Sequence, residues 1–268
     1  MADENPTTPG PPFWPLRGEL NTLHNSVIDY SCRVQEQAVA LQNANPHLSY
    51  EALAAIHTRA VLIHRSTRDL CENGWTPVSS ILIRTLADLY ANAIAILFNE
   101  KDREYMAFRY MLAFPLSRVN DTSLTKEVRA RHEAEITEII SHLPETDRDR
   151  ASELLKNNCR KNYWFQPEFE SPTDVLKKTK GDMPFLYRVF SGSTHGGVVG
   201  LGFLDDDPDV ANINPREHPR KTPGAIVASS RLALEITFLR DGAENTGYTS
   251  LYTFIKDRLL LPLRDILE

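Results

Sequence analysis

An all-α fold, built as a single-domain helical bundle of about eight to ten helices, is what this sequence predicts, on three observations. Apolar residues recur at helical spacing along most of the chain. Leu, Ala, Glu and Arg, all favourable helix formers, are abundant. There is no alternating apolar and polar run, no hairpin signal and no internal repeat. The 268 residues, 41% hydrophobic and 25% charged, can bury one large core, and no composition break divides them. A domain over 16–268 is expected, preceded by a tail.

That tail, residues 1–15, holds five prolines and little apolar content before Phe13, so disorder is expected there; without a basic start it does not resemble a signal peptide. A first helix follows over about 16–42, with Leu20, Leu23, Val27, Ile28 and Val34 at helical spacing, closed by Asn45 and Pro46. Ser49 is expected to cap a second helix running to about Cys71, with Leu53, Ile56, Ala60, Ile63 and Thr67 inward and Asn73-Gly74 as its stop. Residues 76–99 form an almost wholly apolar third helix. Residues 102–114 read as an aromatic-rich helix, and 123–142 and 145–158 as two exposed, highly charged ones.

The stretch 162–170 (NYWFQPEFE) breaks periodicity and concentrates aromatics, which predicts a loop laid over the core. Ser171 with Pro172 opens a short helix, Ser as cap and Pro in the first turn. A further helix is expected over 183–197. Residues 203–223 are a long aperiodic segment, and loops of that length in compact domains are usually functional or mobile. Helices over about 224–239 and 250–267 close the chain.

Charge and cysteine usage bound the function. A net charge of −6 disfavours a generally nucleic-acid-coated surface but leaves room for a local basic groove. Cys32, Cys71 and Cys159 are odd in number and widely spaced, with no C-x-x-C, which fits a reducing cytosol and a cytoplasmic protein. The 76–99 run is long enough to span a bilayer. Arg84 and Asp88 near its middle would each cost roughly 2.5–3.5 kcal/mol there, so a soluble core helix and no membrane partner are expected.

Arg84, Asp88 and Asn92 recur at four-residue spacing along that apolar helix and share one face. With apolar residues over most of the rest, the helix is expected to be buried nearly all round. Burying an unpaired charge costs several kcal/mol, so the stripe must be paired internally or must face another polar element. The expected partner is the run YRVFSGSTH at 187–195, in which Arg188, Ser191 and His195 also fall on one helical face. The two helices are expected to lie side by side with these seams meshed.

Other chemistries find little support. His195-Gly196-Gly197 resembles an esterase oxyanion turn, but no G-x-S-x-G elbow accompanies it. The glycines at 192, 196, 197, 200 and 202 fit neither a dinucleotide fingerprint nor a P-loop. No Glu-x-x-His pair suggests a helical di-metal site, so no metal and no cofactor are expected. His57 and His64, seven apart on the second helix, remain as possible ligands, although such histidines are more often packed and hydrogen-bonded. Basic clusters at 216–221 and at Lys177, Lys178 and Lys180 read as solvated surface or as a phosphate-guiding rim.

The Arg188 to His195 spacing lies within the arginine, four-to-six residues, histidine signature of the helical HEPN superfamily, and the chain resembles that superfamily there. More closely, SSILIRTLADLY (79–90) and LYRVFSGSTH (186–195), with Trp164 upstream, resemble a family of bacterial all-helical proteins known as a domain of unknown function. Its pattern is an Arg followed four residues later by an acid, then Tyr-Arg-x-x-Ser-x-x-x-His. Arg84, Asp88, Tyr187, Arg188, Ser191 and His195 match it, and the likeness covers roughly residues 50–200. Position 189 is Val where HEPN nucleases carry a polar residue, position 88 is Asp where Glu is commoner, and Gly192 weakens the motif's helix.

The HEPN resemblance implies a metal-independent endoribonuclease or RNA-binding protein, acting in bacterial defence or stress, with single-stranded RNA or another phosphate-containing ligand as partner and a homodimer as assembly. Arg188, His195 and Ser191 would be catalytic: His195 as base toward a 2′-hydroxyl, Arg188 on the phosphate, Ser191 as a hydrogen-bonding group. Arg84, Asp88, Tyr187 and Asn92 would bind or orient. Two other readings stay open: a non-enzymatic binding or regulatory module whose stripe is a structural polar network, and a small anionic ligand clamped by Arg84 and Arg188.

Overall fold

The computed structural model describes residues 16–44, 46–73, 75–119, 121–143, 145–156, 164, 168–179, 183–184, 187, 191 and 222–267. All regular structure among the described residues is helical, as the periodicity predicts. Helices α1 (Arg17–Ala44), α2 (Leu48–Glu72) and α3 (Thr76–Leu97) are followed by a 3-10 turn (Glu100–Asp102) and α4 (Arg103–Val119). Then come α5 (Lys126–Ser141), α6 (Glu145–Lys156), the short α7 (Pro172–Leu176) and α8 (Thr222–Glu244). The last helical stretch is α9 (Thr249–Ile255), a π turn (Lys256–Leu260) and α10 (Leu261–Leu267). The expected tail at 1–15, most of the helix over 183–197 and the long segment at 203–221 lie outside the described residues.

Helix α8 is the axle. It packs on α1, α2 and α3, while α2 also packs on α3, so these four make the central layer. Helix α4 covers α2 and α3, α5 lies outside α4, and α9 rests on α1 and α8. Leu20, Leu23, Val27, Ile56, Ile83, Leu86, Ile96 and Leu234 are wholly inaccessible at the centre. Apolar burial of this kind supplies most of the folding free energy, at ~25 cal/mol per Å² of apolar area removed from water.

Helix α2 begins differently from expectation. Its N-cap is His47, whose side chain makes no capping bond, and Ser49 is already helical. The Ser49 amide donates to Glu104 Oε2 at 3.2 Å, and its hydroxyl donates to Glu104 Oε1. A carboxylate from α4 thus satisfies an exposed N-terminal donor of α2, and Asp or Glu is welcome there on electrostatic grounds. The cap was invisible in sequence because its acceptor lies 55 residues away. By contrast, Ser171 caps α7 as expected, accepting from the Asp174 amide at 3.3 Å.

Helix α8 also runs past its expected end at Leu239, carrying Arg240, Asp241 and Glu244 into the core. Arg240 is inaccessible to solvent and bonds Glu244 Oε1 at 2.7 Å, His57 Nδ1 at 3.0 Å and Gln35 Oε1. Asp241 accepts from the Tyr30 hydroxyl at 3.0 Å, the Thr246 hydroxyl at 2.5 Å and the Tyr248 amide at 3.1 Å. Buried charges persist because they are paired and hydrogen-bonded in this way. Burial pushes the Glu244 carboxyl up, against the pull of Arg240. Burial, then the Asp241 charge, holds the Tyr30 phenol far above its ordinary range.

Helix α3 is long and apolar enough, over Val78–Leu97, to cross a membrane by composition alone. Its sides are instead packed against α2, α4, α7 and α8. Burial is not complete all round: Val78 and Ile81 are 43% and 47% exposed. They lie on the outward face that Thr85 and Asp88 continue, at spacings of three, four and three residues, and so point away from the neighbouring helices.

Candidate functional site

Two residues of the polar stripe of α3, Arg84 and Asp88, meet Tyr187, a position that the family resemblance singles out and the Arg188–Ser191–His195 spacing does not. Arg84 Nη1 donates to Asp88 Oδ1 at 2.5 Å, one helical turn on. Arg84 Nη2 donates to the Tyr187 hydroxyl, which donates in turn to Asp88 Oδ1 at 3.1 Å. The guanidinium carbon also stands 3.5 Å from the centre of the Tyr187 ring, a cation–π contact. Each member holds the other two, so the group is a closed clasp between α3 and residue 187.

Solvent reaches the clasp unevenly. The Arg84 side chain is 14% exposed and the Asp88 side chain 41%. Burial, followed by the Asp88 charge, pushes the Tyr187 phenol up to about 12, so it stays protonated and keeps donating. Four residues on stands Ser191, whose hydroxyl, like Arg84 Nε, is enclosed with no hydrogen-bond partner among the described residues. Arg188 and His195, which the resemblance makes catalytic together with Ser191, lie outside the described residues.

Asn92 does not join this group. Its side-chain oxygen accepts from the Trp164 indole at 3.3 Å, and Trp164 meets Tyr110 edge-on at 5.2 Å. Asn92 is two turns beyond Arg84, about 12 Å along the helix at 1.5 Å per residue. It borders a cleft of about 530 Å³ whose charged lining includes Glu51, Glu135 and Glu138. That end of the stripe is therefore negative and aromatic, and unsuited to a phosphate backbone. Of the stretch 162–170, Trp164 and Phe169 are buried, Arg109 bonds Glu168 at 2.6 Å, and Phe169 meets Phe98 edge-on at 5.1 Å, while 162, 163 and 165–167 lie outside the described residues.

The remaining sequence candidates divide clearly. Both α2 histidines are packed. His57 bonds Arg240, and His64 Nδ1 lies 3.1 Å from the Ser229 hydroxyl with its ring 4.3 Å from that of His24. Burial, then the nearby Arg240 charge, holds His57 down to about 3, so it is neutral at ordinary pH. Among the described residues no group of three or more His, Cys, Asp or Glu side chains is placed to hold a metal ion. Of the basic clusters, Lys177 and Lys178 are exposed and Lys177 pairs with Asp174 at 2.8 Å. Lys180 and residues 216–221 lie outside the described residues.

The expected helix stopped at about Leu239 and left Arg240, Asp241 and Glu244 beyond it. The four-residue Arg240–Glu244 spacing was the available signal, since it is the pairing distance on a helix.

A family described as a family of unknown function (DUF5677) has a model that matches residues 50–211, more than half of the chain. No curated protein and no solved structure matches.

Proposed function

The chain belongs to the family of unknown function DUF5677, and from that premise we propose that it is a HEPN-like, RNA-directed protein that cleaves single-stranded RNA without a metal. The observation that carries this reading is the clasp. Arg84 and Asp88 hold Tyr187 from two sides, and so anchor the residue that directly precedes Arg188 in the sequence. A site of this kind needs rigid placement, because misplacing reacting groups by 1 Å costs on the order of a hundredfold in rate.

In this reading His195 takes the proton of a 2′-hydroxyl, and the 2′-oxygen bonds to phosphorus. The bond to the 5′-oxygen breaks, leaving a 2′,3′-cyclic phosphate and a 5′-hydroxyl that takes its proton from water. Arg188 neutralises charge developing on the phosphate. Arg84 is a positioning residue, since Asp88 and Tyr187 occupy its two terminal nitrogens. The protein works as a cytoplasmic homodimer in bacterial stress or defence. Incubating the purified chain with mixed RNA in chelator, beside His195→Ala, tests the proposal: cyclic-phosphate ends should form with the first only.

A second reading rests on the same engagement of both terminal nitrogens of Arg84. A clasp with all members engaged can be purely structural, registering two elements of a non-enzymatic binding or regulatory module. On that reading Arg84→Ala and Asp88→Ala lower stability, and His195→Ala changes nothing toward RNA.

A further inference from the structure

The cleft of about 530 Å³ beside Asn92 lies between α2, α4 and α5, and none of the clasp residues lines it. Its volume falls within the range of about 300–1,000 Å³ usual for small-molecule sites. Aromatic rings make one part of its wall. The buried Trp164 and the half-buried Tyr110 meet edge-on there, and the exposed Phe114 extends the wall toward solvent. Burial, against the pull of Arg59, pushes the Tyr110 phenol up, so that ring stays neutral.

The charged part of the lining is acidic. Glu51 comes from α2, and Glu135 and Glu138 come from α5; among the described residues no Lys or Arg lines the cleft. Glu135 is taken up by His132 at 3.0 Å. The carboxylates of Glu51 and Glu138, by contrast, have neither an ion pair nor a hydrogen bond among the described residues. Of the cations nearby, Arg118 stands 5.3 Å from the centre of the Phe114 ring but pairs with Asp121 at 3.5 Å, and Arg59 does not reach the lining. Glu138 also lies in the last turn of α5, which holds no basic residue, so its charge adds to the negative pole of the helix dipole. Departures of this kind from local helix preference are expected at functional sites.

Aromatic faces attract an organic cation through their negative quadrupole, and uncommitted carboxylates attract it through their charge. From this combination we propose that the cleft binds a small organic cation, an alkylated ammonium, whose methyl groups lie against Trp164 and Tyr110 and whose charge faces Glu51 and Glu138. An alkylated head suits the site better than a bare ammonium or a metal ion, because its methyl shell gains from the aromatic wall and asks no hydrogen bonds of the carboxylates. This site is independent of the RNA reading and stands if that reading falls.

Calorimetric titration of the full chain with benzyltrimethylammonium, at constant ionic strength, tests the site, with benzyl alcohol as the uncharged control. Benzyltrimethylammonium should bind saturably at one site, and benzyl alcohol about tenfold more weakly or not at all. The double variant Glu51→Gln, Glu138→Gln should weaken benzyltrimethylammonium about tenfold. Both side chains are exposed, so its melting temperature should stay within about 2 °C of the parent. Tyr110→Leu, which keeps an apolar wall but removes the ring, should weaken binding about fivefold. No saturable binding, equal binding of benzyl alcohol, or full affinity in either the double glutamine variant or Tyr110→Leu would overturn the proposal.

Discussion

Removing a single oxygen, by Tyr187→Phe, tests the clasp most sharply, because the ring beneath the Arg84 guanidinium stays in place. The lost hydroxyl accepts from Arg84 and donates to Asp88. Hydrogen bonds to charged groups contribute about 1.5–3 kcal/mol each. Water replaces part of the Asp88 contact, since that side chain is 41% exposed, and such partly open pairs count for less. Arg84, only 14% exposed, has less access to water, so most of the cost falls on its Nη2. A net loss of about 1–2 kcal/mol follows, and at about 2–4 °C per kcal/mol for a chain of this size the melting temperature should drop by about 2–8 °C. Asp88→Asn removes the charge that neutralises Arg84. Because both substitutions strike one closed group, the double variant should lose less than the sum, by about 0.5–2 kcal/mol. Thermal melts of the four proteins measure this coupling. Additivity within about 0.3 kcal/mol would show that the three side chains do not act together, and the reasoning would fail.

Two further outcomes follow from the core. Asp241→Ala strips the acceptor from Tyr30, Thr246 and the Tyr248 amide at once, so a loss of about 3–5 kcal/mol in urea denaturation is expected; a loss under about 1 kcal/mol would contradict the network described. Stability should also fall as pH drops from 7 to 5. Burial, then Arg68 and Arg65, hold His24 down to about 4; burial and Arg240 hold His57 down to about 3; and burial holds His64 well below 6.5. The unfolded chain protonates all three near 6.5, whereas the folded chain does not. Between 6.5 and the folded values the unfolded state binds more protons, so stability is full above 6.5 and declines below it. The slope is at most about 1.4 kcal/mol per pH unit for each histidine. A melting temperature constant from pH 7 to 5 would be inconsistent with buried neutral histidines.

The helices and the Arg84–Asp88 pair were legible in the sequence because both are set by spacing. Apolar residues three and four apart define α1, α2, α3 and α8, and the four-residue step from Arg84 to Asp88 put their charges within reach of each other. Tyr187 was flagged only by the family resemblance, because it is not one of the polar positions, Arg188, Ser191 and His195, whose spacing defined the second face. What stayed hidden depends on partners distant in the chain. Glu104 as the acceptor for Ser49, and Gln35, His57 and Tyr30 as the groups that let α8 carry charges inward, become visible only once the helices are stacked. The π turn at Lys256–Leu260 was hidden too, since periodicity alone gives no sign of it within 250–267.

Cleavage of single-stranded RNA in chelator, by the parent chain and by His195→Ala of equal melting temperature, tests the central claim most directly. The expected result is product with a 2′,3′-cyclic phosphate from the parent and none from the variant. Equal cleavage by both, or no cleavage by the parent, would contradict it.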